Sequence, residues 1–280
     1  MKTARIGRAG IGLATALILI TGLSACNSDS QPTAQRTGIT VLAAASLTDV
    51  MPQLVAAYAQ EQPDVDVTTS FGGSQVFVEQ LKSGAPGDVL VAADEQSLVN
   101  LDGSGRDLSE YQVVATNQIV LAVAPGNPAN ISNLADAAAN QRLAICAPAV
   151  PCGRATQRVL DAAGLQVQGA SQENDVRSVL SKVSAGQVDA GFVYATDAVA
   201  AQSQGVTSIP LDDPAPNRYP ALVTTNSDQA EIRQAATAFQ QWLSGAQAQQ
   251  IFAEAGFGPC LPGNTPAPTP SASAAAQGGQ

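Results

Sequence analysis

An α/β fold with mostly parallel sheets and right-handed crossovers is predicted by two features of the chain. Short β-branched or apolar runs alternate with longer segments whose apolar residues recur at helical spacing. Glycines stand just past several of those helical segments, at Gly84, Gly164, Gly186 and Gly205, where a left-handed residue ends a helix. The 280 residues, 45% hydrophobic and 13% charged, suffice for one large domain or two modest ones with cores of their own.

In order, the strand-like runs are 39–43, 65–70, 88–92, 118–124, 142–146, 190–194, 206–210 and 221–225. The first opens on Ile39, Thr40 and Val41 and the second on Val65 and Val67, β-branched residues that suit a pleated, half-buried surface. The helical segments include 47–60, 75–82, 153–163, 175–185 and 227–255, and Asn174 or Asp175 suits the N-cap of the fourth. A single sheet accommodates these strands. Two lobes with a cleft between them result if the chain crosses over near 116–118 and returns near 217–221; spacing leaves both arrangements open.

The ends differ from this body. Lys2, Arg5 and Arg8, an apolar run from Ile11 to Ile20, and Leu23-Ser24-Ala25-Cys26 form a secretory signal over residues 1–25. The apolar run is too short to span a membrane well. Residues 26–37 read as a polar tether, and 261–280, uncharged and rich in Pro, Ala and Ser, as a disordered tail. Leu-Ser-Ala-Cys resembles the bacterial lipobox. That implies a diacylated Cys26 at the mature N-terminus, holding a soluble body to the outer face of the membrane.

Composition excludes several functions. A formal charge of −10 argues against nucleic acid, and 4% aromatics against large stacking surfaces. With no His and no Cys-x-x-Cys, a zinc site lacks its usual ligands. With no His, and only Lys82 and Lys182 beyond the leader, a serine nucleophile has no evident base; no phosphate-loop pattern occurs either. A non-enzymatic protein without cofactor is expected. In an oxidising compartment Cys146, Cys152 and Cys260 allow three single pairings. The short spacing around Pro148 and Pro151 favours Cys146 with Cys152.

Two loops carry the functional signal. Ala43-Ala44-Ala45-Ser46-Leu47-Thr48-Asp49 and Phe71-Gly72-Gly73-Ser74-Gln75 each lie where a strand hands over to a helix. The first helical turn leaves N–H groups unpaired at the positive end of the macrodipole, a setting for an oxyanion. Ser46 and Ser74 equally suit helix capping. Tyr194 alone reads as a core residue with its hydroxyl at the surface, and Val176 as plain core. Asp88, Asp94 and Asp197 would repel a dianion and suit caps or structural partners.

These loops, with Gly84-Ala85-Pro86-Gly87-Asp88-Val89-Leu90-Val91-Ala92-Ala93-Asp94, Val150-Pro151-Cys152-Gly153, Glu173-Asn174-Asp175-Val176-Arg177, Gly191-Phe192-Val193-Tyr194-Ala195-Thr196-Asp197-Ala198, Tyr219-Pro220 and Glu254-Ala255-Gly256-Phe257-Gly258, resemble the periplasmic molybdate-binding proteins of ABC transporters. The likeness runs in register from Ile39 to about Cys260. It implies a two-lobed, type II periplasmic-binding-protein fold, each lobe a mixed, mostly parallel sheet flanked by helices, with lobes 38–117 plus 220–260 and 118–219. It further implies a monomer that holds molybdate or tungstate in the interlobe cleft for an ABC permease. Matched residue by residue, Ser46 and Ser74 from one lobe and the Cys152 and Val176 amides and Tyr194 phenol from the other would be the ligands. The family often has Ala where Cys152 stands, and a disulfide there would stiffen the closing loop. Other expectations compatible with the chain are another oxyanion, such as sulfate, on the same fold, and a surface lipoprotein acting in adhesion or sensing.

Overall fold

The computed structural model describes residues 36–139 and 142–260. The expected leader, the lipidation candidate Cys26, the tether up to residue 35 and the tail 261–280 lie outside the described residues.

The chain forms β1 (Thr37–Ala44), a 3₁₀ turn (Ala45–Leu47), α1 (Met51–Glu61), β2 (Val65–Gly72), α2 (Ser74–Lys82), β3 (Val89–Val91), α3 (Gln96–Leu101) and β4 (Gln112–Asn117). It continues with β5 (Ile119–Val123), α4 (Leu134–Ala139), β6 (Leu143–Cys146), α5 (Pro151–Ala162), β7 (Ser171–Glu173), α6 (Val176–Ser184), β8 (Ala190–Tyr194), α7 (Ala195–Ala200) and β9 (Thr207–Pro210). Then come β10 (Asn217–Val223), α8 (Ala230–Trp242) and α9 (Ala246–Glu254).

The strands make two five-stranded sheets, β2-β1-β3-β10-β4 and β7-β6-β8-β5-β9. In the first, β1 is parallel to β2 and β3 while β10 opposes β3 and β4; in the second, β6 is parallel to β7 and β8 while β5 opposes β8 and β9. Each sheet is therefore mixed, with a single strand against the grain in the same place. The chain passes from the first sheet to the second through Gln118 alone and returns between β9 and β10. Two lobes, not one sheet, follow from those two passages.

Burial explains the central strands. Val41 and Ala43 of β1 join one apolar cluster and Leu42, pointing oppositely, joins another with Phe77, Leu90 and Leu222, so the first sheet is covered on both faces. In the second lobe α6 turns Val179 and Val183 onto β8. A Cβ on Gly191 there would come within 2.7 Å of Val179 Cγ1, so glycine permits the close helix–sheet contact.

Three expectations change. The last strand of the first sheet starts at Asn217, not 221, and continues through Pro220, whose missing N–H is tolerated at a register shift against β4. The stretch 227–255 is two helices separated at Gly245, the N-cap of α9. Strands β4 and β7 and helices α3, α4 and α7 are additional to those read from the sequence.

Candidate ligand-binding site

Three helices, α2, α5 and α6, begin at one small cavity, joined there by the 3₁₀ turn and by α7. Its wall comprises Ala44, Ala45 and Ser46; Gly72, Gly73 and Ser74; Ala93; Val150, Pro151 and Cys152; Asp175 and Val176; and Tyr194. Nearly all are cap or first-turn residues. Gly73 and Val150 are the N-caps of α2 and α5 and bring no side-chain cap, so the first-turn amides keep their hydrogens for a ligand. Pro151, first in α5, has no N–H; the first donor there is Cys152. Asp175 caps α6 by accepting from the Ser178 N–H at 2.8 Å, as its sequence position suggests, and the Val176 N–H precedes that bond.

All five expected ligand residues meet at this wall. Neither serine is a cap. Ser46 lies inside the 3₁₀ turn with Oγ 2.8 Å from the Tyr219 hydroxyl, and Ser74 follows the Gly73 cap and accepts from the Ala93 N–H at 3.1 Å. Tyr194 is not at the surface: it is 1% exposed, its ring edge-on to Tyr219 at 5.9 Å, and its hydroxyl accepts from Asn217 Nδ2 at 2.8 Å. Burial pushes both phenols well above the usual tyrosine range, so both remain neutral donors.

No Lys or Arg lines the cavity, and its one acid, Asp175, is committed to Ser178. Arginines stand one layer out, each paired. Arg154 of α5 makes a two-pronged bond to Asp94 at 2.7 and 2.9 Å, and Arg177 of α6 bridges Asp49 at 2.7 Å and Asp197 at 3.3 Å. Asp197 also accepts from the Tyr194 N–H, completing the cap of α7; its burial, outweighing Arg177, lifts its carboxyl to about 6. Asp94 likewise caps Ser97, so both acids serve as structural partners.

The two walls touch. Gln75 Nε2 donates to the Asn174 carbonyl at 2.7 Å, and a Cβ on Gly73 would lie 2.5 Å from that same oxygen. In the second wall a disulfide joins Cys146, at the end of β6, to Cys152, with Cα atoms 5.7 Å apart, leaving Cys260 as a free thiol. A Cβ on Gly153 would sit 2.0 Å from the Ala147 carbonyl, so only glycine lets the loop fold so tightly onto α5.

Chemically, the arrangement binds. It offers convergent neutral donors around a small space, and the bonds of its two serines run to the Tyr219 hydroxyl and the Ala93 N–H, not to a basic side chain. A larger depression of about 630 Å³ beside α5 is lined by side chains along that helix, including Gln157 and Asp161, and lacks converging helix starts. The sequence reading missed Tyr219, Asn217 and the paired arginines; Tyr219 and Arg177 lie within the family-like stretches, where their adjacency to predicted ligands was the available signal.

The family of bacterial extracellular solute-binding proteins matches residues 39–258. The molybdate-binding protein ModA of Mycobacterium tuberculosis is 34% identical over 259 residues, covering 88% of this chain and 98% of that protein. Among solved structures, the periplasmic molybdate-binding protein of Azotobacter vinelandii superposes with a TM-score of 0.66 at 25% identity, over 78% of this chain and 98% of that one. The sulfate-binding protein SubI of M. tuberculosis shares the fold, with a TM-score of 0.70 at 20% identity over 80% and 87%.

Proposed function

Since the chain belongs to the bacterial extracellular solute-binding proteins, a family that is in general non-enzymatic, we propose that it captures molybdate, and with it tungstate, and passes it to an ABC permease. One observation carries this reading: neutral donors from three helix starts, two serines and a tyrosine converge on one small cavity. A tetrahedral dianion presents four oxygens to such a cage. Each bond to a charged group contributes about 1.5–3 kcal/mol, so several offset the costs of closure and desolvation and reach roughly micromolar affinity or better. A buried arginine would add its own desolvation cost and hinder release; the pairing of Arg154 with Asp94 supports a site that does without one.

In this reading Ser46, Ser74, Cys152, Val176 and Tyr194 hold the oxyanion, lobes 38–117 with 220–260 and 118–219 close on it, and a lipidated Cys26 after a signal peptide of residues 1–25 tethers a monomer outside the membrane. Likeness to the M. tuberculosis molybdate-binding protein favours molybdate over sulfate. Titration calorimetry with molybdate, tungstate and sulfate tests the choice. Molybdate and tungstate should bind far more tightly than sulfate. Equal affinities would assign the site to oxyanions in general, and no heat with any of them, together with an unmoved melting temperature, would leave a role in adhesion or sensing.

A further inference from the structure

Gln75 is the second residue of α2, and its side chain folds back over the Gly73 cap: a Cβ on Gly73 would lie 2.5 Å from Nε2 and 2.6 Å from Oε1. From there Nε2 donates to the Asn174 carbonyl, 99 residues on in the chain, at 2.7 Å. Gly73 and Asp175, the residue after Asn174, both belong to the cavity wall, one on each lobe. The amide therefore lies as a bar across the seam between the start of α2 and the start of α6. Gly73 beneath it is buried and Asn174 is exposed, so the bar stands between the cavity wall and solvent.

A carbonyl only accepts, so the nitrogen of this amide must face Asn174 and the oxygen must face away. That oxygen is buried and finds no donor among the described residues. Closing the bar thus makes one bond and strands one acceptor, two contributions of similar size and opposite sign. The net effect on the closed state is small. Opening is different, because the bond to Asn174 must break before water reaches the stranded oxygen, and nothing replaces it at that instant. A contact of this kind sets a rate and leaves an equilibrium nearly alone.

We propose that Gln75 is the gate of the cavity, a positioning residue that governs how fast an oxyanion enters and leaves without deciding how tightly it is held. Gly73 is the seat this gate needs. Its φ of −64° and ψ of 133° suit any residue, so glycine is required there by space alone. A methyl group would stand 2.5 Å from the Asn174 oxygen, a backbone atom of the opposite lobe that cannot swing aside as a side chain can. The inference rests on the oxyanion reading above and adds to it the residue that times exchange.

The test is exchange of isotopically labelled molybdate on the full chain at neutral pH. Uptake of label gives the association rate, a chase with unlabelled molybdate the dissociation rate, and calorimetry the dissociation constant. Gln75→Ala should speed association and dissociation alike, each roughly three- to tenfold, the worth of one neutral hydrogen bond, with the dissociation constant within about twofold of the wild type. Gly73→Ala should instead wedge the lobes apart, raising the dissociation constant roughly tenfold or more through faster release, while the melting temperature of the ligand-free chain stays unchanged. Adding Gln75→Ala to Gly73→Ala should not restore affinity, because the oxygen that the methyl meets belongs to the Asn174 backbone. Wild-type rates in Gln75→Ala, a dissociation constant there that moves by the whole change in release rate, or a Gly73→Ala chain that binds as tightly as the wild type overturns the proposal. A wild type that retains no labelled molybdate instead overturns the oxyanion reading on which it rests.

Discussion

Ser46 and Ser74 illustrate how one residue type takes two supports. Ser46 leans on the Tyr219 phenol, and Ser74 on the Ala93 backbone amide. Ser74→Ala leaves a buried N–H unpaired, which costs about 1–3 kcal/mol of stability, whereas the Ser46→Ala hole leaves only a phenol to turn. Both should weaken molybdate roughly tenfold or more by calorimetry, and Ser74→Ala should also lower the melting temperature more than Ser46→Ala. Asp197 gives a prediction of a different kind. Its carboxyl is raised from an ordinary value of 3.8 to about 6 because burial outweighs the Arg177 charge. The folded chain therefore holds this proton more tightly than the unfolded chain, and the contribution to stability is fully present below pH about 4 and lost as pH rises through about 6. Melting curves from pH 4 to 7 should show Asp197→Asn gaining on the wild type as pH rises; parallel curves would mean that the carboxyl titrates alike in both states.

Helices and strands account for what could be read in advance. Buried, β-branched runs such as Ile39–Val41 and helix faces such as Val176, Val179 and Val183 declare themselves by period, and the cap at Asp175 by residue type. β4 does not, because Gln118 alone separates it from β5 and no Gly or Pro marks the passage between sheets. Pro220 hides the start of β10 for the opposite reason, a strand-breaking residue placed at a bulge. The five cavity residues became legible only through several motifs in register. The arginines stayed illegible because their partners are remote: Arg154 and Asp94 are 60 residues apart, and Arg177 and Asp49 are 128 apart. Both bonds join α5 or α6 of the second lobe to loops of the first, and exist only with the walls together. The half-buried Arg154–Asp94 fork should stabilise closure by about 1–2 kcal/mol. Arg154→Gln and Asp94→Asn should therefore each raise the dissociation constant for molybdate roughly five- to thirtyfold, chiefly through faster release, and the double variant should cost little more than either. Unchanged affinity in both would remove the pair from closure.

At the scale of the whole molecule, two sheets of matching topology place helix starts on both sides of one small cavity, and two chain passages let the sides move as lobes. A formal charge of −10 gives a dianion no long-range attraction. On the reading proposed above, affinity would arise at short range, from amides and hydroxyls aimed by the scaffold, and a ligand touching both lobes would favour the closed state. The most direct measurement of that claim is anomalous diffraction at the molybdenum edge from crystals grown with molybdate. One strong peak is expected inside the cavity, with donors of Ser46, Ser74, Cys152, Val176 and Tyr194 about 2.7–3.2 Å from the surrounding oxygens. A peak seated elsewhere, or an empty cavity in crystals saturated with molybdate, would contradict it.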